Sequence, residues 1–137
     1  MRKRTKSREI ALKILYAWEI TDDSLDICCE EYLKNNNSEE DVVVEYAERL
    51  VSGIGSNIKK IDEMILSHAT NWRLDRMATI DRNIIRIASF ELVFMEDMPP
   101  KVAINEAIEM AKKYGSRDSG NFVNGILDKI KDECIDK

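Results

Sequence analysis

The stretch IDRNIIRIASFELVFM, Ile80 to Met95, is the most hydrophobic helical pattern in the chain. Ile80, Ile84, Ile87, Ala88, Leu92 and Met95 recur at intervals of one, three and four, the spacing of a single helical face. A helix this apolar is expected at the centre, with others packed around it. Glu91 falls on its apolar side. A carboxylate in that position is expected to be paired or to cap a neighbouring helix, because an isolated buried charge is costly. A catalytic acid would need a second carboxylate at a suitable spacing, and the sequence offers none. Met98-Pro99-Pro100-Lys101 stops the helix, and Pro100 suits the first position of the next one.

Working outward, Ala103, Ala107, Ile108 and Ala111 predict a helix with a small-residue face, closed by Gly115 as a left-handed cap. Phe122, Val123, Ile126, Leu127 and Ile130 predict a final helix. Gly125 inside it costs about 1 kcal/mol relative to alanine, which implies that another helix approaches there. Upstream, Asn71–Met77 reads as a connector with one helical turn. Asn35–Ser38 reads as a loop in which Ser38 caps the next helix, with Asp41 three residues on. Val43, Tyr46, Ala47, Leu50, Val51 and Ile54 are in register with Ile58, Ile61, Ile65 and Ala69, so one long helix is expected, bent at Gly53 and Gly55. Asp22 or Asp23 can cap a helix that buries Leu25, Cys28, Cys29, Tyr32 and Leu33. Thr5 or Ser7 can cap a first helix with Ile10, Ala11, Ile14, Leu15 and Trp18 on its apolar face. No segment alternates as a strand would, so the expectation is an all-α fold, a single domain of six or seven helices over residues 1–137.

Charge is distributed unevenly. Residues 1–13 carry six basic residues and one acidic residue, net +5, while the remainder holds 15 basic and 25 acidic residues, net −10. A basic arm at residues 1–8 on an acidic body is a nucleic-acid pattern, because a polyanion responds to local charge; a solubilising, frayed terminus is the plainer explanation. From Glu19 to Glu48 there are eleven acidic residues and one lysine, a face that RNA should avoid. No apolar run is long enough for a membrane span, and Lys13 and Glu19 interrupt any signal-peptide core, so a cytoplasmic protein is expected. Three cysteines, two of them adjacent, suit neither a disulfide framework nor a metal knuckle. His68, the single histidine, lacks partners at metal-ligand spacing, and no phosphate-binding glycine loop is present. Nothing points to an enzyme, a cofactor or a metal.

The blocks SREIALKILYAWE (7–19), NWRLDRM (71–77), DRNIIRIASFEL (81–92), PPKVAINEAIEMAKKYG (99–115) and SGNFVNGILDKI (119–130) together resemble the transcription antitermination factor NusB family. The resemblance covers nearly the whole chain. It implies two small helical bundles packed across each other. It implies a non-catalytic RNA-binding factor for boxA-type single-stranded nascent RNA, chiefly of ribosomal RNA operons. Such a factor acts with NusE, a small-subunit ribosomal protein, in the antitermination complex on RNA polymerase. The implied RNA surface is the basic start of the first helix, Arg2, Lys3, Arg4, Lys6 and Arg8, with Lys101 and the segment Asp118, Ser119, Asn121 and Phe122. Lysine at position 6 departs from the family's arginine-rich pattern; it neutralises phosphate but lacks the planar fork. The implied NusE patch is Tyr16, Asp75 and Asp81. The family includes self-associating and monomeric members, so a homodimer is admitted. An alternative is a stand-alone NusB-like module related to the domain fused to RNA cytosine methyltransferases. A scaffold whose arm touches lipid is the rival of a different class, but the arm lacks the aromatic-and-basic face of a membrane helix.

In DSGNFVNG, Asp118 to Gly125, the ring of Phe122 is in register with the core yet stands at a helix start. It reads either as a core anchor or as a platform for a base, and stacking of this kind is worth roughly 1–3 kcal/mol per base. Asp118 would repel phosphate, so it is expected either to cap the helix or to accept from a base amino group.

Overall fold

A computed structural model describes residues 2–36, 38–69 and 73–134. Seven α-helices and one 3₁₀ turn are found among the described residues, and no strand. They are α1 (Lys3–Ile20), α2 (Leu25–Asn35), α3 (Asp41–Ser56), α4 (Ile58–His68), the turn Leu74–Arg76, α5 (Thr79–Phe94), α6 (Pro100–Tyr114) and α7 (Ser119–Cys134). The chain divides into two compact units between Ser56 and Asn57. The all-helical expectation holds. Asn37 of the expected 35–38 loop and Asn71 and Trp72 of the expected connector lie outside the described residues; the helical turn foreseen in that connector is the 3₁₀ turn.

In the first unit α1 lies against α3, and α2 packs on both. The faces foreseen from spacing are the buried ones: Ile10, Ala11, Ile14 and Leu15 on α1, and Val43, Tyr46, Ala47, Leu50, Val51 and Ile54 on α3. Each large aliphatic side chain fully removed from water contributes roughly 1.5–3 kcal/mol. Ser7 Oγ, also buried, donates to the carbonyl of Val43 at 2.7 Å and joins the two helices. Several boundaries differ from expectation. Helix α1 begins at Lys3 with no side-chain cap, so the basic arm is its first two turns. The cap of α2 is Ser24, whose Oγ accepts from Ile27 N at 3.2 Å. Helix α3 starts at Asp41, three residues beyond Ser38. Cys28 is buried as expected, but Cys29 is only half-buried.

The expected long helix is two helices. Asn57, with φ −123° and ψ 19°, leaves the helical region and becomes the N-cap of α4. The break comes after the glycines rather than at them. Gly55 serves packing: a Cβ there would stand 3.0 Å from Leu25 Cδ2.

In the second unit α5 is the central helix, packed against α4, α6 and α7, and every residue from Asp81 to Leu92 is buried. Its polar residues therefore need internal partners. Arg86 makes a two-pronged pair with Asp62 of α4, Nε to Oδ1 at 2.8 Å and NH2 to Oδ2 at 2.9 Å, while its NH1 donates to Asn83 Oδ1. Arg82 NH1 donates to the carbonyls of Leu74 and Met77, both at 2.8 Å, and holds the 3₁₀ turn against α5. Glu91 is 1% exposed and engaged, as a buried carboxylate on that face must be. His68 hydrogen-bonds the Met64 carbonyl through Nδ1 and Glu133 Oε2 through Nε2, which ties α4 to α7. The close helix approach expected at Gly125 is not found: Gly125 is exposed with nothing within 4 Å of a Cβ, and at Gly120, where α7 faces α6, a Cβ would make only an ordinary contact, 3.8 Å from Lys112 Cγ. No helix among the described residues is long and apolar enough to cross a membrane.

Two outcomes follow. Asp62→Ala leaves the buried Arg86 guanidinium without its carboxylate, and urea denaturation should show a loss of about 3 kcal/mol. The Cys29 thiol is pushed up to about 11 by burial and by Glu48, Asp26 and Glu30. Because only the thiolate reacts, alkylation of Cys29 at pH 8 should run about a hundredfold slower than that of a simple thiol, read by peptide mass spectrometry; the exposed Cys134 should react first.

Candidate nucleic-acid interface

The expected RNA-contacting residues fall into two groups, one in each unit. The first lies on the opening turns of α1. Arg2, Lys3 and Arg4 are exposed, Lys6 is partly exposed and Arg8 is 3% exposed. Residues four apart share a helical face, so Arg4 and Arg8 stand one above the other. Both face the ring of Tyr46 on α3, with guanidinium carbons 4.2 and 5.9 Å from its centroid, within cation–π range. Lys3 Nζ meets Glu40 Oε2 at 2.9 Å, and Lys6 Nζ meets Glu39 Oε1 at 3.8 Å. The hydrogen bond and charge of Lys3, aided by Lys6, hold the Glu40 carboxyl below its usual range. Exposed pairs of this kind contribute little to stability, so a polyanion can displace them at small cost.

The second group lies at the start of α7. Ser119 is 1% exposed, and its Oγ accepts from Ser116 N at 2.9 Å and lies 3.2 Å from Ser116 Oγ. This bond folds Ser116–Ser119 into the turn that launches the helix. Gly115 makes it possible: a Cβ there would stand 2.5 Å from Ser119 Oγ and 2.8 Å from the Ala111 carbonyl. Its φ of −93° shows that the glycine is required for space, not for a left-handed cap. Asp118 is exposed, and its backbone oxygen accepts from Phe122 N at 3.1 Å. Phe122 is half-buried, between the two positions that its sequence register allowed.

Phe122, Asp118 and Ser119 line a cavity of about 390 Å³ together with Ser116, Arg76, Met77, Ala78 and Asp81. Lys101 and Asn121 are exposed and are not part of this wall. Of the three residues implied for NusE, Tyr16 is exposed on α1, and Asp75 is exposed and paired with Arg73 at 3.0 Å. Asp81 is 8% exposed and shares the cavity with the RNA candidates. Sequence reading missed Tyr46 as an arginine platform, Glu39 and Glu40 as partners of the lysines, and the Arg76–Ala78 wall. Tyr46 carried the one available signal, an aromatic in an otherwise aliphatic buried stripe.

The NusB family model matches residues 5–132. The transcription antitermination protein NusB of Anaeromyxobacter dehalogenans is 48% identical over 128 residues, covering 93% of this chain and 89% of that protein. That of Bacillus licheniformis is 40% identical, covering 96% and 98%. Among solved structures, T. maritima NusB superposes with a TM-score of 0.88 at 40% identity, covering 95% and 91%. A chain from the crystal structure of antitermination factors NusB and NusE in complex with dsRNA gives 0.88 at 29% identity, covering 97% and 98%.

Gly115→Ala should force the Ser116–Ser119 turn apart. The expected cost is roughly 1–3 kcal/mol in denaturant unfolding, the usual range for overpacking a tight site.

Proposed function

The chain belongs to the NusB family, and on that premise we propose that it is a non-catalytic transcription antitermination factor. It binds boxA-type single-stranded nascent RNA together with NusE and helps assemble the antitermination complex on RNA polymerase, work that places it in the cytoplasm. The observation that carries this reading is the cluster of five basic residues on the N-cap and first two turns of α1, in a chain of net charge −5. Arg2, Lys3, Arg4 and Lys6 offer charge to phosphate, and the buried Arg8 shares the Tyr46 platform that supports Arg4. Sequence preference is then left to base edges and stacking, the usual division of labour for single-stranded RNA. Asp118, Ser119, Asn121 and Phe122 are the proposed residues for that task, with Lys101 as a further phosphate contact. Tyr16 and Asp75, both exposed, are proposed for NusE together with Asp81. Acidic residues outnumber basic ones beyond the first turns of α1, which suits a basic ribosomal protein.

The test is a filter-binding titration of boxA-like and scrambled RNA, with and without NusE, at 50 and 200 mM salt. Each phosphate neutralised on a single strand contributes about −0.7 to the slope of log affinity against log salt. Replacing Arg2, Lys3 and Arg4 together by alanine should flatten that slope by about 2 while NusE still binds. An unchanged slope removes the α1 cluster from the interface, and equal binding of boxA-like and scrambled RNA removes the boxA assignment.

A further inference from the structure

The basic residues at the start of α1 differ in what they already hold. Arg4 lies over the Tyr46 ring, whereas Lys3 and Lys6 each face a carboxylate. Lys3 Nζ is 2.9 Å from Glu40 Oε2, and Lys6 Nζ is 3.8 Å from Glu39 Oε1. The backbone holds these acids in place. The Glu40 carbonyl accepts from Val43 N at 3.0 Å and from Val44 N at 3.1 Å, the opening bonds of α3. The buried Ser7 hydroxyl, next in the chain after Lys6, donates to the Val43 carbonyl at 2.7 Å and pins the start of α3 to α1. Glu39 and Glu40 therefore reach the same ammonium groups that a phosphate would have to reach. The Glu40 carboxyl, held below its usual range chiefly by the Lys3 hydrogen bond, agrees with that geometry.

We propose that Glu39 and Glu40 stand in for RNA phosphates within the protein, and that RNA binds by exchange, Lys6 and Lys3 leaving these carboxylates for the strand. The inference rests on the RNA-binding reading above and adds what opposes it. Lysine suits an exchange, because a compact ammonium on a flexible stem can swing between partners without giving up a planar fork. Pairs this exposed are weak, so the exchange is possible. Each pair must still open before a phosphate gains its cation, so affinity falls by a modest factor. Phosphate contacts carry no sequence information, so the factor is the same for every RNA. The acids thereby trim the sequence-independent share of binding, and retention of a strand depends more on contacts to its bases. The rival reading is a pair of straps holding α3 to α1. The Ser7 bond and the buried faces of the two helices already do that, whereas Lys3 and Glu40 are exposed.

The experiment is a double-mutant cycle on the full chain, read by filter binding of boxA-like and scrambled RNA at 50 and 200 mM salt. Glu40→Gln keeps the shape of the side chain and removes its charge. It should bind both RNAs roughly two- to fivefold tighter than wild type at 50 mM salt, the scale of one exposed pair. The gain should shrink at 200 mM salt, where screening is stronger. In a Lys3→Ala background the same substitution should leave affinity unchanged, because the partner through which it acts is gone. Glu39→Gln should behave likewise against Lys6→Ala, with a smaller gain because that pair is longer. Urea denaturation should place both glutamine variants with wild type. A gain that survives in Lys3→Ala reports the general field of the acidic residues and overturns the exchange. Absence of any gain overturns it too, and a loss of stability in its place makes the pairs straps between helices. If wild type and Glu40→Gln alike fail to bind either RNA at 50 mM salt, the RNA-binding reading falls and the exchange falls with it.

Discussion

Helix α5 cannot present a polar face to water. Every residue from Asp81 to Leu92 is buried, and the run includes two arginines, an asparagine, a serine and two acids. A helix of that kind is stable only where its polar groups find partners inside the protein, and those partners dictate the rest of the second unit. Arg86 fixes α4 through Asp62. Arg82 fixes the turn before the helix by binding two backbone carbonyls. Because that turn leads directly into Met77 and Ala78, the side of the cavity opposite α7 is set by a hydrogen bond of the core. The same helix carries Asp81, whose Oδ1 is one of two buried side-chain oxygens without a partner among the described residues, Ser89 Oγ being the other. Core and cavity share one element, and one of those two oxygens belongs to a residue that lines the cavity.

The helical faces were legible because they depend on local spacing. Ile10 through Leu15, Val43 through Ile54 and Ile84 through Leu92 pack as their periodicity indicated. The breaks were less legible. The apolar stripe runs through Asn57 without interruption, so nothing in the pattern announces that the helix ends there and a new one begins. Caps were misplaced by one to five residues because several neighbouring residues have suitable side chains: Asp22, Asp23 and Ser24 are equivalent in type, and only the backbone chooses Ser24. The glycines show the same limit. Gly115 and Gly125 look alike in sequence, yet one has no room for a Cβ and the other faces open space. A steric requirement of that kind depends on Ser119, and hence on how the following turn folds back.

The candidate site was legible as a list and not as an arrangement. Charge counting located the basic cluster, and family likeness supplied Asp118, Ser119 and Phe122. The opposite charges on Glu39 and Glu40 could not be connected to Lys3 and Lys6 from sequence, because more than thirty residues separate them and only the packing of α1 on α3 brings them together. Asp81 is assigned to the NusE patch by likeness alone, and only the fold shows that it lines one cavity with Ser119 and Phe122.

Arg4 and Arg8 lie over one tyrosine ring before any ligand arrives. A free arginine side chain samples many rotamers and must surrender that entropy when it binds, roughly 2 kcal/mol at full immobilisation. Stacking on Tyr46 has already removed much of this freedom, and the buried Arg8 has less still to lose. Lysine at position 4 would preserve the charge but not the flat, ordered group, so position 4 is constrained by shape as much as by sign, unlike Lys3, where a flexible ammonium meets an exposed carboxylate.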